Sequence, residues 1–333
     1  MFALAAITLL TTRDKITIKY ESSSAKAVAL AGDLNGWGTP KPMSNSNGIW
    51  TFEVDIPQDS RFEYKFVVDG NWVLDPKNPN KIDNSIGGEN SVFAGTQYKL
   101  NVHDQQPNRP MIRTSFNVDG REIVIFAPKQ SKKLPILLYG DGQNYEKYGR
   151  IENIVENLVE TRKIRPVILV LVPPSDRMKE YGQDWKNYAN LLFYKILPEA
   201  RKLTGASTRA EDLYLGGSSL GGVISLRLAE EFPNLVAGGV HSQSGAFQFP
   251  NAGELVSQKG IEKLARTTRL WLCWGNFEDG LTKINEKAVK TLTEMKHPFG
   301  SRITNEGHNW TAWRHRMEDG LIYLLGSKQA KRP

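Results

Sequence analysis

Leu213-Tyr214-Leu215-Gly216-Gly217-Ser218-Ser219-Leu220-Gly221-Gly222-Val223 is the stretch on which the fold of this chain turns. Residues 213–215 form an apolar run of strand type, and 223–231 carry the spacing of a helix. Gly217-x-Ser219-x-Gly221 joins the two. A strand that passes directly into a helix must turn sharply, and the turn pushes its central side chain out at the strand's C-terminal edge, on a strained backbone. Close approach of strand and helix leaves little room two residues to either side, which is why glycines suit 217 and 221. The next backbone N–H, on Leu220, then sits at a helix N-terminus and can receive an oxyanion. Of the two adjacent serines, only Ser219 has glycine at both −2 and +2, which makes it the candidate nucleophile. A plain tight turn has the same local composition, so the remainder of the chain must supply a base and an acid.

In a sheet built this way the acid follows the serine in the chain and the histidine comes last. Of the five histidines, His103 falls in a polar connection and His241 at the start of a loop after an expected strand. His297 and His315 sit in or beside expected helices. His308, in Gly307-His308-Asn309-Trp310, follows an expected strand at 301–304. It stands in a glycine-bearing loop where an imidazole can reach a serine, and is the candidate base. After the strand ending at Trp274, Gly275-Asn276-Phe277-Glu278-Asp279 offers two carboxylates. One would accept the imidazole N–H and stabilise the imidazolium. The other would cap a helix expected over 281–295. Asp279 is the better cap by type, which leaves Glu278 as the first choice of acid and Asp279 as the alternative. A second oxyanion donor is expected in Gly140-Asp141-Gly142-Gln143-Asn144, at the backbone N–H of Gly142 or Gln143.

Outward from the serine, unbroken apolar runs at 136–139, 167–172, 213–215, 236–240 and 270–274 alternate with amphipathic helices, among them 150–161 and 185–203. Continuous apolar strands imply burial on both faces, hence a mostly parallel sheet covered by helices. A hairpin (116–118, Asp119-Gly120, 122–126) precedes them. The first hundred residues differ. Short alternating runs at 16–20, 27–30, 50–54 and 62–68 are separated by turn clusters such as Asp33-Leu34-Asn35-Gly36-Trp37-Gly38 and Asp69-Gly70, the pattern of an antiparallel β-sandwich. The chain thus reads as an all-β, immunoglobulin-like domain at 1–104 and an α/β-hydrolase domain at 105–333.

The totals exclude several classes. Among 333 residues, 40% hydrophobic and 24% charged, Lys and Arg number 43 against 36 Asp and Glu, a net +7 spread without a basic run or a nucleic-acid-binding motif. The single cysteine, Cys273 in an apolar strand, rules out an intrachain disulfide framework and a Cys-based zinc site. Neither a His/carboxylate cluster at ligand spacing nor a phosphate loop is present, so no metal or organic cofactor is expected. Met1 to Leu10 is apolar but about half the length that spans a bilayer. It resembles the hydrophobic part of a secretory signal without the positive start. Export is the expectation, a cytoplasmic protein the alternative, and no membrane span is expected elsewhere.

The catalytic half, 110–325, resembles the esterase family that includes enterochelin esterases and the feruloyl esterase modules of xylanases. The resemblance rests on Leu138-Tyr139-Gly140-Asp141-Gly142-Gln143, Arg177-x-x-Glu180-Tyr181, the Gly216–Gly222 run, Ser242-Gln243-Ser244-Gly245-Ala246-Phe247, and Gly307-His308-Asn309-Trp310-x-x-Trp313-Arg314. The family's acid stands three residues beyond the glycine matching Gly275, which favours Glu278. One departure is visible: the family often carries Gly-Gly-His-Asp where this chain has Glu306-Gly307-His308-Asn309. The first domain resembles carbohydrate-binding module family 48, to which the glycogen-binding domain of AMP-activated protein kinase belongs. That resemblance rests on Leu30-Ala31-Gly32-Asp33-Leu34-Asn35-Gly36-Trp37, the run Tyr64–Trp72, and Asp75-Pro76. It implies sugar contacts at Trp37, Lys65, Trp72 and Asn90. Packing against the catalytic domain is the alternative use of those tryptophans.

The expected function is a serine carboxylic-ester hydrolase working through an acyl-enzyme. Its expected substrate is a small-molecule or polysaccharide ester, feruloyl or acetyl esters of plant polysaccharide first, with a carbohydrate ligand on the first domain. The alternative is a siderophore trilactone, a ferric and highly anionic substrate that calls for Arg or Lys around the pocket. Arg177 and Arg314 are the candidates, with pairing to a nearby carboxylate as the alternative use of either, and Trp310 is a further candidate substrate contact. An acyltransferase on the same triad, or an inactive carbohydrate-binding protein, complete the set.

Overall fold

The computed structural model describes residues 12–326, so the stretch that carries the expectation of export lies outside the described residues. The chain divides into two compact units. The first holds the described residues up to Leu100 together with Trp274–Thr282 and Ile303–Ala312; the second holds Asn101–Cys273, Lys283–Arg302 and the residues from Trp313 onward. A division at residue 104 assigns 274–282 and 303–312 to the second domain, whereas here both segments belong with the first.

In the first unit the strands are β1 (Arg13–Glu21), β2 (Val28–Gly32), β3 (Lys41–Pro42), β4 (Ser44–Ser46) and β5 (Ile49–Pro57). They continue as β6 (Arg61–Val68), β7 (Asn71–Val73), β8 (Lys81–Asp83) and β9 (Glu89–Ala94). One sheet runs β1-β5-β4 and the other β3-β2-β6-β9-β8, with β7 paired to β6. The pairings among these strands are antiparallel. Alternation along β6 sends Phe62, Tyr64 and Phe66 into a core with Ile18, Leu30, Trp50 and Ile56. Phe62 and Phe66 are fully buried, each contributing about 1.5–3 kcal/mol by removal from water. The Asp69-Gly70 turn between β6 and β7 has φ of 47° and 88° at its two residues, both in the left-handed region, as a tight hairpin turn of the right twist demands.

In the second unit, β10 (Ile112–Val118) and β11 (Arg121–Ala127) form the hairpin. The sheet continues with β12 (Ile136–Gly140), β13 (Ile168–Val172), β14 (Leu213–Ser218), β15 (Gly239–Gln243), β16 (Arg269–Gly275) and β17 (Phe299–Thr304). Its order is β10-β11-β13-β12-β14-β15-β16-β17, and the pairings from β13 through β16 are parallel. Every residue of β12, β13, β14 and β15 is buried, as strands covered on both faces must be. The helices are α1 (Gly142–Asn144), α2 (Ile151–Glu160), α3 (Trp185–Leu191), α4 (Leu197–Thr204), α5 (Leu220–Glu231), α6 (Gln258–Ile261), α7 (Asp279–Glu294) and α8 (Trp310–Leu325). The helix expected over 185–203 is α3 and α4 joined by a π-type turn, Leu192–Ile196. The second unit has the α/β-hydrolase arrangement and the first is an all-β sandwich.

One strand differs from expectation. The apolar run at 236–240 gives way to β15 at Gly239–Gln243, paired in parallel with Tyr214 to Ser218. His241 therefore lies inside a strand and not in a loop after it. It is fully buried with Nδ1 2.5 Å from the Tyr139 hydroxyl. The hydrogen bond to Tyr139, rather than apolar character, makes that imidazole compatible with the sheet.

Candidate active site

Ser219 sits where β14 becomes α5, at φ 57° and ψ −121°, a conformation costly for a residue with a Cβ and held here by its surroundings. Its N–H donates to the Gln243 carbonyl at 2.8 Å, and its carbonyl accepts from Ala246 N–H at 3.2 Å. A Cβ at Gly217 would overlap the backbone of Gly221, which explains the −2 glycine through close strand–helix approach. Ser218 is 1% exposed, while Ser219 keeps partial access. Leu220 opens α5, so its N–H has no partner within the helix.

β12 pairs with β14 in parallel, Tyr139 opposite Gly216, so the loop after β12 leaves the sheet at the same edge as Ser219. That loop folds into α1, whose first two N–H groups, on Gly142 and Gln143, have no partner within it. Asp141, buried and at φ 53°, precedes them. Its N–H donates to the Tyr181 hydroxyl at 2.9 Å. Arg177 Nε donates to Asp141 Oδ1 at 2.8 Å, and Arg177 Nη2 to the Ser218 carbonyl at 3.0 Å. Burial raises the Asp141 carboxyl above its ordinary value, and the Arg177 guanidinium opposes that rise. Arg177 thus braces the turn around the nucleophile, a role that the motif word did not reveal. Arg314 is likewise paired, its Nε 3.0 Å from Asp104 Oδ2 and its Nη1 donating to the Tyr148 carbonyl at 3.3 Å. The Ser242-Gln243-Ser244 word is a buried framework: Tyr145 donates to Gln243 Oε1, Gln243 Nε2 to the Trp313 carbonyl, and Trp313 Nε1 to Ser244 Oγ. Burial, with Arg316 nearby, lowers the His241 pKa to about 3, which keeps that imidazole neutral.

The acid and histidine belong to the first unit. Glu278 is 3% exposed; its Oε1 accepts Gly275 N–H at 2.8 Å and its Oε2 lies 3.0 Å from His308 Nδ1. Asp279 is exposed in the first turn of α7. His308 keeps a third of its side chain accessible. Asn309 caps α8 through Oδ1, which accepts Ala312 N–H at 3.0 Å. Trp310, half-buried, begins that helix. In the sandwich, Trp37 and Trp72 stack at 6.5 Å with their planes 18° apart. Trp72 is 50% exposed, and Lys65 lies two residues along β6 from Val67, the partner of Trp72. Asn90 is 5% exposed and donates to Glu63 Oε2 at 2.8 Å.

Among the described residues no His, Cys, Asp and Glu cluster suited to a metal ion occurs, and no helix is long and apolar enough to cross a membrane. Cys273 is buried.

Residues 15–94 match the family described as "Glycogen recognition site of AMP-activated protein kinase", and residues 119–324 the family described as "Putative esterase". Iron(III) enterobactin esterase of Escherichia coli O6:H1 is 24% identical over 271 residues, which cover 76% of this chain and 67% of that protein. The solved ferric enterobactin esterase of Salmonella typhimurium aligns with a TM-score of 0.76 at 17% identity, over 94% of this chain and 93% of that one. A feruloyl esterase module from Clostridium thermocellum, solved with sinapinate, aligns at 0.55 and 14% identity over 67% of this chain and 90% of that one. At such identities the solved structures speak for the fold. The esterase model itself spans more than half the chain, and with it the chain belongs to that esterase family and is an ester hydrolase.

Proposed function

We propose that Ser219, His308 and Glu278 act as one catalytic triad on acylated carbohydrate. The observation that carries the chemistry is the strained backbone of Ser219 at the head of α5, with the buried Glu278 carboxylate bonded to His308 Nδ1 in support. His308 Nε2 takes the Ser219 Oγ proton as the oxygen attacks the ester carbonyl. The Leu220 N–H, with that of Gly142 or Gln143, stabilises the oxyanion, a donor being worth about 3–4 kcal/mol. Collapse expels the alcohol, which receives the proton from His308 and leaves an acyl-Ser219. Water, deprotonated by His308, then releases the acid. Glu278 holds the imidazole in the required tautomer throughout.

The stacked Trp37 and Trp72, with Lys65 on the same strand face, favour a sugar-bearing substrate: flat indole faces suit pyranose rings. A siderophore trilactone is the second reading, favoured by the likeness over 94% of the chain to the ferric enterobactin esterase. The ion pairing of Arg177 and Arg314 with Asp141 and Asp104 weakens their claim as receptors for an anionic ligand. Ser219→Ala is expected to abolish hydrolysis of p-nitrophenyl acetate; a wild-type rate in that variant refutes the nucleophile. Methyl ferulate, acetylated xylan and enterobactin assayed side by side decide the substrate, and turnover of enterobactin alone refutes the carbohydrate reading.

A further inference from the structure

The loop that carries His308 is held from both sides of the imidazole by backbone and side-chain groups of the β-sandwich unit. Arg61 N–H donates to the Asn305 carbonyl at 2.9 Å, Asn305 Nδ2 to Asp59 Oδ1 at 2.7 Å, and Tyr98 to Glu306 Oε1 at 2.8 Å. The two neighbours of His308 meet one residue, Asp33. A Cβ on Gly307 would overlap Asp33 Cβ and Cγ, so only glycine permits the chain to pass there. Asn309 Nδ2 donates to Asp33 Oδ2 at 2.9 Å, while Asn309 Oδ1 accepts from Ala312 N–H and, at 3.4 Å, from Arg61 Nη1. Asp33 is 1% exposed, with its remaining capacity taken by Trp37 Nε1 at 2.8 Å and Glu63 N–H at 2.8 Å. The catalytic step described above does not use this carboxylate, nor does helix capping.

We infer that Asp33 is a positioning residue for His308: through Asn309 Nδ2 and the close pass at Gly307 it fixes the loop so that the imidazole meets Ser219 in a productive orientation. The inference rests on the triad proposed above. Asn309 is suited to this because one amide serves both partners, accepting from the helix and donating to the carboxylate. An aspartate, which the resemblance led one to expect there, would keep the cap but face Asp33 with a second carboxylate. Arg61 and Glu63 are the other charged groups facing Asp33, and burial and Glu63 raise its carboxyl to about 7 while Arg61 opposes the rise.

Asn309→Asp therefore separates the two jobs of residue 309. The kcat for p-nitrophenyl acetate, measured well below the melting temperature, is expected to fall about tenfold or more at pH 8, where the facing carboxylates repel. The loss shrinks to about threefold or less near pH 5.5, where the pair shares a proton. KM stays within about twofold of wild type, because residue 309 does not touch substrate. The exchange Asp33→Asn with Asn309→Asp restores one amide and one carboxylate and is expected to recover part of the kcat at pH 8. A wild-type kcat at pH 8 in Asn309→Asp overturns the inference. So does a loss that is equal at both pH values and tracks a lowered melting temperature, or an exchange variant no better than the single one. Ser219→Ala run alongside keeps the triad separate: if it abolishes turnover while Asn309→Asp leaves turnover intact, the positioning role falls and the triad stands.

Discussion

Glu278→Gln tests the acid with an isostere whose consequence follows from two hydrogen bonds. Glu278 Oε1 accepts the Gly275 N–H at 2.8 Å and Oε2 faces His308 Nδ1 at 3.0 Å. In the glutamine, one of those positions becomes an NH2. Turning it toward Gly275 would set donor against donor and leave a buried N–H unpaired, at about 1–3 kcal/mol. The amide nitrogen therefore turns toward His308 and donates to Nδ1. That selects the tautomer with the proton on Nε2, the nitrogen that must be free to receive the Ser219 proton. The imidazolium also loses its carboxylate. The expected loss in kcat is on the order of 10^4-fold, about 5–6 kcal/mol of transition-state stabilisation, by comparison with the same change in a serine-protease triad. KM should hold, because Glu278 is buried against backbone and His308 rather than exposed to substrate. Stability should hold too, since the change removes a buried charge without changing shape. The assay is steady-state hydrolysis of p-nitrophenyl acetate beside a thermal melt, with Asp279→Asn as companion at the exposed neighbour. A Glu278→Gln enzyme within tenfold of wild type, or a larger loss in Asp279→Asn, refutes the assignment.

Trp72→Ala is expected to weaken binding of a soluble glucan roughly tenfold, from loss of one exposed stacking face; unchanged retardation in an affinity gel would count against the sugar platform. Glu230 is 2% exposed, and neither of its carboxylate oxygens has a hydrogen-bond partner among the described residues. Burial pushes its carboxyl up to about 9, so the folded state keeps a proton that the unfolded state releases above about pH 4.5. Its contribution to stability is complete at low pH and is lost as pH rises toward 9, with a ceiling of about 1.4 kcal/mol per pH unit. Glu230→Gln should flatten that slope in urea melts between pH 5 and 9; an unchanged slope refutes it.

The turn at Ser219 was legible because its cause is local: the spacing of Gly217 and Gly221 is imposed by a strand and a helix adjacent in the chain. The Asp69-Gly70 and Asp119-Gly120 turns were legible for the same reason, since positive φ at both residues of each pair leaves few residue types. What escaped depends on partners distant in sequence. β15 was displaced because apolar character marks burial only where hydrogen bonds do not, and His241, Ser242 and Gln243 are buried polar residues. For Arg177, pairing with a carboxylate was one of two readings, but which carboxylate was not legible, because its partner, Asp141, lies 36 residues away. The Asp33–Asn309 contact spans 276 residues, and nothing in either neighbourhood announces it.

β6 shows how one strand accommodates these demands. On one face Phe62, Tyr64 and Phe66 fill the core. On the other, the same alternation presents Arg61, Glu63 and Lys65, and the two ends of that face differ. Arg61 and Glu63 are each 3% exposed, bonded to one another at 3.2 Å, and joined by Asn90 and Asn309. Buried charges are expensive unless their hydrogen bonds are met, and a sandwich in need of stability alone would place apolar residues there. Further along, Lys65 and the Val67–Trp72 pair keep access to solvent. A buried polar network is justified where it fixes one geometry among several, and the geometry fixed here is that of residues 305–309. Asp33 links the two ends, because the carboxylate bonded to Asn309 also accepts the indole N–H of Trp37. The stacking face and the histidine loop therefore share one buried acceptor.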